Sequence, residues 1–587
     1  MVKLMKGHRY LLVVFLFLGE NLLLAQGERQ SMDSLLYLFE EKQCFNGELL
    51  ITVNDKPFYQ NRIGYRDFQT KERIIPNSVF NLGSISKPFT SVAVLQLQEK
   101  GLLNIDDMVV KYIPEFAYEN ISIKHLLSHT SGLKQDLEQI EDFELTTYIN
   151  NDSLLTILSK YKPRLYCVPG SEWIYSNLGY EILASVVERI TKMKFSEYVR
   201  NNIFEPAGMS RTFIPCSREI LKWLPSDVSE KDMLVPNNYK SIHSCEVTPV
   251  DSIDFSSARQ DFLVGSENIY SCLVDLAKFD EALRNNKLLG KELQEMAYTP
   301  FILSSGDTAK DMNAPIPSYY GLGWFISINQ SSGKIIWHKG RSMGSRSVFL
   351  RIPEKRQMVG ATDNFDYPAV DLKGIACLRI LNHETYRNPV LMSLIQKFGC
   401  GIYSYGFSRA LSDFKVLKAA ERQNYYISED ETIQLKNELT NDKKDTDALS
   451  LMEYSKELFP NSSTILTNYA ELLFLADRAE EAVSNFRQAV LLPGTTNQEK
   501  ETILNNVGYT FLVLNQFDKA ELVLKLNIAL FPNSGNAYDS YASALEKNQK
   551  IGQAIQMEKK AVTIATRNKD ELLETFKKNL ENLKSKN

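Results

Sequence analysis

Residues that build metal sites and disulfide frameworks are scarce in this 587-residue chain, which has six histidines and seven cysteines. No H-E-x-x-H and no C-x-x-C occurs. With no H-E-x-x-H among the histidines, no metal is expected. The scattered cysteines read as small buried hydrophobes rather than a framework of bridges, and an oxidising compartment leaves room for a pair that spacing alone does not assign. A basic excess is also missing: 67 Lys and Arg stand against 72 Asp and Glu, for a net charge of −5. That balance gives no electrostatic footprint for nucleic acid. Apolar residues at 44% and charged residues at 24% are those of an ordinary globular protein long enough for several domains.

Long apolar runs are confined to the amino terminus. Lys3, Lys6 and Arg9 precede Leu11 to Leu18 and then Leu22-Leu23-Leu24-Ala25-Gln26. A basic segment, a short apolar stretch and a small residue before the cut are the parts of a secretory signal peptide, here residues 1–25. Glu20 and Asn21 interrupt a run already short for a bilayer span, so no stable membrane span is expected after cleavage. Cleavage removes three basic residues and one acidic residue, taking the net charge from −5 to −7. The predicted location is periplasmic or secreted.

From residue 31 to 388 strand-like and helix-like stretches alternate. Phe45 to Val53, Asn54-Asp55 and Phe58 to Tyr65 read as a hairpin. Helical periodicity follows Asn81 and stops at Gly101, and strand candidates return at Tyr320–Ile328, Lys334–His338, Ser347–Ile352 and Met358–Asp363. Strands at both ends with helices between predict one sheet assembled from distant parts of the chain, with Asn388-Pro389 as the exit. Residues 389–425 read as a helical linker. In residues 426–587, Ala470, Gly508 and Ala542 are each followed twelve positions later by an alanine, Ala482, Ala520 and Ala554. Small residues at such helix crossings, at a period near 34, resemble tetratricopeptide repeats, with the charged carboxyl-terminal tail as a capping helix.

Three motifs carry the chemistry. Ser84-Ile85-Ser86-Lys87 opens the apolar helix, and positions i and i+3 share a face, so the amine can reach the hydroxyl. Serine attacks well only when a neighbour takes its proton, and burial with a helix dipole lowers a lysine toward that task. The same tetrapeptide pattern starts at Ser131, Ser159, Ser331 and Ser412, so what singles out Ser84 is Gly83, the helix start and the strand upstream. Tyr175-Ser176-Asn177 follows the Pro169-Gly170 turn and leads into an amphipathic helix; its phenol can shuttle a proton and its amide can hold an acyl side chain. His338-Lys339-Gly340 sits on a strand, where Gly340 would let a substrate lie against the edge.

In order and spacing these elements resemble the S-x-x-K, Y-x-N and K-T-G motifs of class C β-lactamases and the related D-alanyl-D-alanine carboxypeptidases and esterases. The resemblance extends through residues 31–388, including Phe80–Ser84, Gly101–Asp107, Ile123–Leu133 and Tyr320–Trp324. It implies an α/β (α+β) fold, a β-lactamase/transpeptidase-like sheet flanked by helices with a helical subdomain, followed by the all-α repeat solenoid. It also implies Ser84 as nucleophile, Lys87 and Tyr175 as proton carriers, Asn177, His338 and Gly340 as substrate contacts, and an oxyanion held by the N–H groups of Ser84 and Arg341. The resemblance implies no metal and no organic cofactor, and His129 is expected to pack rather than act. The substrate would be a small amide or ester: a D-amino-acid peptide, an ester or a β-lactam. The competing reading is a penicillin-recognising binding or sensing protein, catalytically weak, whose repeats recruit a protein or peptide partner. The third motif departs from the pattern, since His338 stands for its lysine. A histidine near 6.5 predicts weak, pH-dependent recognition of a substrate carboxylate, and strand alternation turns Lys339 away.

Overall fold

The computed structural model describes residues 26–41, 44–140, 149–215, 220–235, 237–239, 243, 247–249, 263–311, 314–342, 344–364, 370–386, 392–420, 425–492 and 497–586. The signal segment, the Asn388-Pro389 exit, Cys216 and Cys245 lie outside them. The chain forms two compact units, one of residues 1–240 and 246–391, the other of 241–245 and 392–587.

The first unit is built on an eight-stranded antiparallel sheet. Its strands are β1 (Gly47–Val53), β2 (Lys56–Ile63), β3 (Lys310–Asp311), β4 (Ser318–Tyr320), β5 (Phe325–Asn329), β6 (Gly333–Ser342), β7 (Ser345–Ile352) and β8 (Gln357–Asp363). The spatial order is β2-β1-β8-β7-β6-β5-β4-β3. The hairpin turns at Asn54 and Asp55, both at positive φ, and β1 closes on β8 with Gly47 opposite Asp363. First and last parts of the unit thus meet side by side, as the sequence pattern predicted.

Both sheet faces are buried, and the pleat sorts side chains between two cores. Leu50, Ile336, Phe349 and Met358 face a helical layer containing α1 (Ser86–Glu99), α2 (Asn177–Thr191) and α3 (Leu273–Arg284). Leu49, Ile51, Ile335, Trp337, Val348, Leu350 and Val359 face the helix at 26–41 and α4 (Val370–Leu381). This period of two is what an extended backbone dictates. α1 is buried from Ser86 to Leu97, so it runs through the core rather than along a surface, and Gly101 at φ +68 takes the left-handed position that ends it.

The second unit is all helical among its described residues, apart from a two-residue bridge of Met392–Ser393 with Tyr425–Tyr426. After α5 (Leu394–Tyr405) and α6 (Phe407–Ala420) come the pairs α7 (Glu429–Asn441) with α8 (Asp445–Leu458), α9 (Ser463–Leu475) with α10 (Ala479–Leu491), α11 (Asn497–Val513) with α12 (Phe517–Leu530), and α13 (Gly535–Lys547) with α14 (Ile551–Asn568). A last helix, α15 (Leu573–Ser585), packs on α14. The repeating small residues sit where the pairs cross: Ala470, Ala482, Ala520 and Ala554 are fully buried, and a Cβ on Gly508 would meet Leu524 at 2.5 Å. The segment read as a linker supplies α5 and α6, whose Phe398, Ile402, Ala410 and Phe414 belong to the same core as the pairs. His243 is buried in this unit, its Nδ1 3.0 Å from Glu438 Oε2 and its Cβ 2.4 Å from where a Cβ on Gly399 would stand. No described helix is long and apolar enough to cross a membrane.

Candidate active site

Ser84 lies in a single 3-10 turn, Gly83–Ile85, and the α-helix proper begins at Ser86, two residues later than the sequence pattern predicted. Gly83 has φ +53, and a Cβ there would stand 2.6 to 2.7 Å from the backbone of Arg341. Only a glycine allows that approach. Gly340 is equally constrained: its added Cβ would lie 1.9 Å from the Leu82 carbonyl and 2.4 Å from Ser347 Oγ. Ser347 Oγ donates to that same carbonyl at 2.8 Å, and Ser345 Oγ to the Asn81 carbonyl at 3.2 Å. Gly340 is expected to be a place of close approach, and the approach seen here is that of the Leu82 backbone. Its bare backbone makes room for Leu82, and so seats the Ser84 turn against β6.

Lys87 is fully buried one turn after the serine. Its ammonium has three N–H bonds, and each meets an acceptor: Ser84 Oγ at 3.0 Å, Asn177 Oδ1 at 2.7 Å and the Ser266 carbonyl at 3.0 Å. Aromatic faces close the remaining sides, with Nζ 4.8 Å from the Tyr175 ring centre and 5.7 Å from that of Tyr180. A buried cation is tolerable only with such company.

The second motif owes its placement to a helix cap. Ser176 is the N-cap of α2, its Oγ accepting from the Gly179 N–H at 3.2 Å and donating to the Lys134 carbonyl at 2.7 Å. Tyr175 thus stands just outside the helix and Asn177 in its first turn, both turned toward Lys87. Asn177 Nδ2 donates to Asp136 Oδ1 at 2.7 Å, which places a carboxylate one residue from the lysine. Asp136 lies outside every motif singled out in the sequence.

Ser266 was likewise not foreseen. Its loop is stitched to the helices by short bonds. Asn151 donates to the carbonyls of Glu181 and Val264 and accepts from the Val264 N–H; Thr90 Oγ1 donates to the Gly265 carbonyl at 2.7 Å; Ser86 Oγ accepts from the Ile269 N–H at 3.2 Å. Gly265, at φ +111, presses against the Tyr180 carbonyl, where a Cβ would come within 2.3 Å. A run of Val-Gly-Ser-Glu carries no spacing rule that would have revealed this.

His338 departs from its expected role. It is fully buried, Nδ1–H donates to the Lys339 carbonyl at 2.7 Å, and Nε2 is 3.2 Å from the Tyr320 hydroxyl. Burial, then the nearby Lys87 charge, push its pKa down to about 3. It is therefore neutral at any ordinary pH, and the expected pH-dependent hold on a substrate carboxylate is corrected: desolvation, absent from a reading of spacing, overrides the free-histidine value. Lys339 points to the opposite face, 3.6 Å from Asp371 on α4, as alternation predicted. His129 is also fully buried, at φ +57, accepting at Nδ1 from the Ser176 N–H at 3.1 Å. Its ring lies 4.2 Å from that of Tyr175 and 4.8 Å from that of Tyr320, and burial, then the Lys87 charge, hold it well below 6.5. It backs the tyrosine rather than facing Ser84. Among the described residues no cluster of His, Cys, Asp and Glu could hold a metal ion.

Comparison with known proteins gives this arrangement a family. The pattern described as Beta-lactamase matches residues 25–378, more than half of the chain. The chain belongs to the beta-lactamase family. It is 29% identical over 335 residues to Penicillin-binding protein 4* of Bacillus subtilis (strain 168), covering 57% of this chain and 71% of the relative. It is 30% identical over 196 residues to Protein flp of Staphylococcus aureus (strain COL), covering 32% of this chain and 39% of that protein. An octameric penicillin-binding protein homologue from Pyrococcus abyssi has a similar fold, with TM-score 0.50 and 22% identity over 61% of this chain and 78% of that one.

Proposed function

We propose that this protein is an exported serine hydrolase that forms an acyl-enzyme on Ser84 with a small amide or ester. The 3.0 Å contact between Lys87 Nζ and Ser84 Oγ, enclosed by Asn177 and Ser266, carries the reading. With its ammonium proton released, Lys87 keeps two N–H bonds for Asn177 and Ser266 and turns its lone pair on the serine hydroxyl. Ser84 Oγ then attacks the carbonyl carbon, and the hydroxyl proton passes to Lys87. The Tyr175 phenol, lying over the same ammonium, relays a proton to the leaving group. Water repeats the sequence on the acyl-enzyme. Positioned proton transfer of this kind contributes roughly 10²–10⁴-fold in rate. The backbone of Arg341, packed on Gly83, is suited to hold the developing oxyanion together with the Ser84 N–H.

The neutral, buried His338 and the outward Lys339 favour a neutral amide or ester over a substrate gripped by its carboxylate. D-amino-acid peptides and esters fit better than efficient β-lactam turnover, while the relatives' names support capture of penicillin. The disulfide at Cys400 agrees with export, because such bonds persist in oxidising compartments. The helix pairs of the second unit offer a surface for a protein or peptide partner.

A fluorescent penicillin and a fluorophosphonate test the nucleophile. Covalent labelling by either, lost in Ser84→Ala, is the expected result; labelling that persists in the variant moves the nucleophile elsewhere. No labelling by either probe would leave only the binding-protein reading.

A further inference from the structure

Lys87 is joined to a second buried ionisable group that the reaction as described does not use. Its Nζ donates to the carbonyl of Ser266 at 3.0 Å, and Ser266 Oγ donates at 2.9 Å to Oε1 of Glu181 on α2. Both Ser266 and Glu181 are buried, and Glu181 Oε2 has no hydrogen-bond partner among the described residues. A buried carboxyl with one oxygen unanswered is costly unless it serves something nearby. One residue, Ser266, thus touches the lysine with its backbone and the carboxyl with its side chain.

We infer that Glu181 is a positioning residue for Lys87: it fixes Ser266 by the hydroxyl, so that the carbonyl of the same residue meets the lysine, and its own ionisation governs how readily Lys87 gives up a proton. The inference rests on the reading of Ser84 and Lys87 given above. The charged groups facing the carboxyl are Asp136, Glu267 on the Ser266 loop, and Lys87 on α1. Burial and the two carboxylates oppose a further negative charge, while the Ser266 bond and Lys87 favour it; the balance pushes Glu181 up to about 8. Below that value the carboxyl is neutral. Above it a carboxylate appears beside Lys87 and stabilises the ammonium, the form that cannot take the Ser84 proton.

The test is the pH profile of Ser84 acylation by the fluorophosphonate in the full chain, for wild type, Glu181→Gln and Ser266→Ala. Gln keeps the shape and can still accept from Ser266 but never ionises. Its rising limb is expected to move roughly one unit to lower pH, the size of effect a nearby opposite charge has, while the plateau rate changes less than tenfold. Ser266→Ala, which keeps the carbonyl and removes the hydroxyl, is expected to shift the limb the same way by a smaller amount, and it carries the test alone if Glu181→Gln does not fold. A variant profile parallel to wild type at every pH, however much slower, would make Glu181 merely structural and overturn the inference. Failure of Ser84 to label in wild type overturns the parent reading instead, so the two failures are distinguishable.

Discussion

His338 ties acid stability to the first unit in a way that can be measured. In an unfolded chain its imidazole titrates near 6.5, whereas in the fold burial and Lys87 hold it at about 3. Below pH 6.5 the unfolded chain therefore binds a proton that the native chain refuses. The stability this contributes is fully present above about 6.5 and is lost as pH falls from there toward 3, at about 1.4 kcal/mol per pH unit. Between pH 7 and pH 5 the loss amounts to about 2 kcal/mol. His338→Gln retains an acceptor for the Tyr320 hydroxyl and removes the titration. All four tryptophans, Trp173, Trp223, Trp324 and Trp337, belong to the first unit, so urea unfolding followed by tryptophan fluorescence reports that unit without the helical one. The wild-type midpoint should fall further between pH 7 and pH 5 than the variant's, by the equivalent of about 2 kcal/mol. His129 loses stability in the same direction in both proteins and cancels in the difference. Parallel midpoints would refute the burial argument. The same neutrality predicts that the ratio of kcat/KM for a carboxylate substrate to that for its neutral ester stays flat from pH 5 to 8.

Gly340→Ala forces a methyl into the Leu82 carbonyl, a backbone atom that cannot swing aside; about 1–3 kcal/mol of overpacking should lower the fluorescence midpoint and slow Ser84 labelling together. Arg351 is fully buried, its Nε donating to Asp280 Oδ1 and its Nη1 to the Tyr298 hydroxyl, both at 2.7 Å. Arg351→Met leaves Asp280 with Arg284 alone and should cost about 3–5 kcal/mol in the same unfolding assay, while Arg351→Met with Asp280→Leu recovers part of that loss.

What sequence could reveal here was whatever depends on short-range pattern. The hairpin at Asn54-Asp55, the alternation along β6 that separates His338 from Lys339, the i, i+3 reach of Lys87 to Ser84 and the alanines at the helix crossings all follow from local periodicity. What it could not reveal depends on tertiary proximity. Asp136 and Glu181 reach Lys87 only through Asn177 and Ser266, and Ser266 is far along the chain from all of them. His338 could be recognised by position, but its charge state depends on a solvent exclusion that no spacing expresses. Gly340 can be read from its motif as a place of close approach, but spacing does not tell that Leu82 is what packs there.

The segment Ser241–Cys245 makes the boundary between the units discontinuous. An engineer wishing to exchange the helical unit as a cassette would naturally cut near residue 391, and that cut leaves behind a piece of the cassette. His243 would then lose Glu438 and the niche opened by Gly399, exposing a side chain built for burial. A clean exchange has to carry both pieces, because the second compact unit is drawn from two separate stretches of the chain.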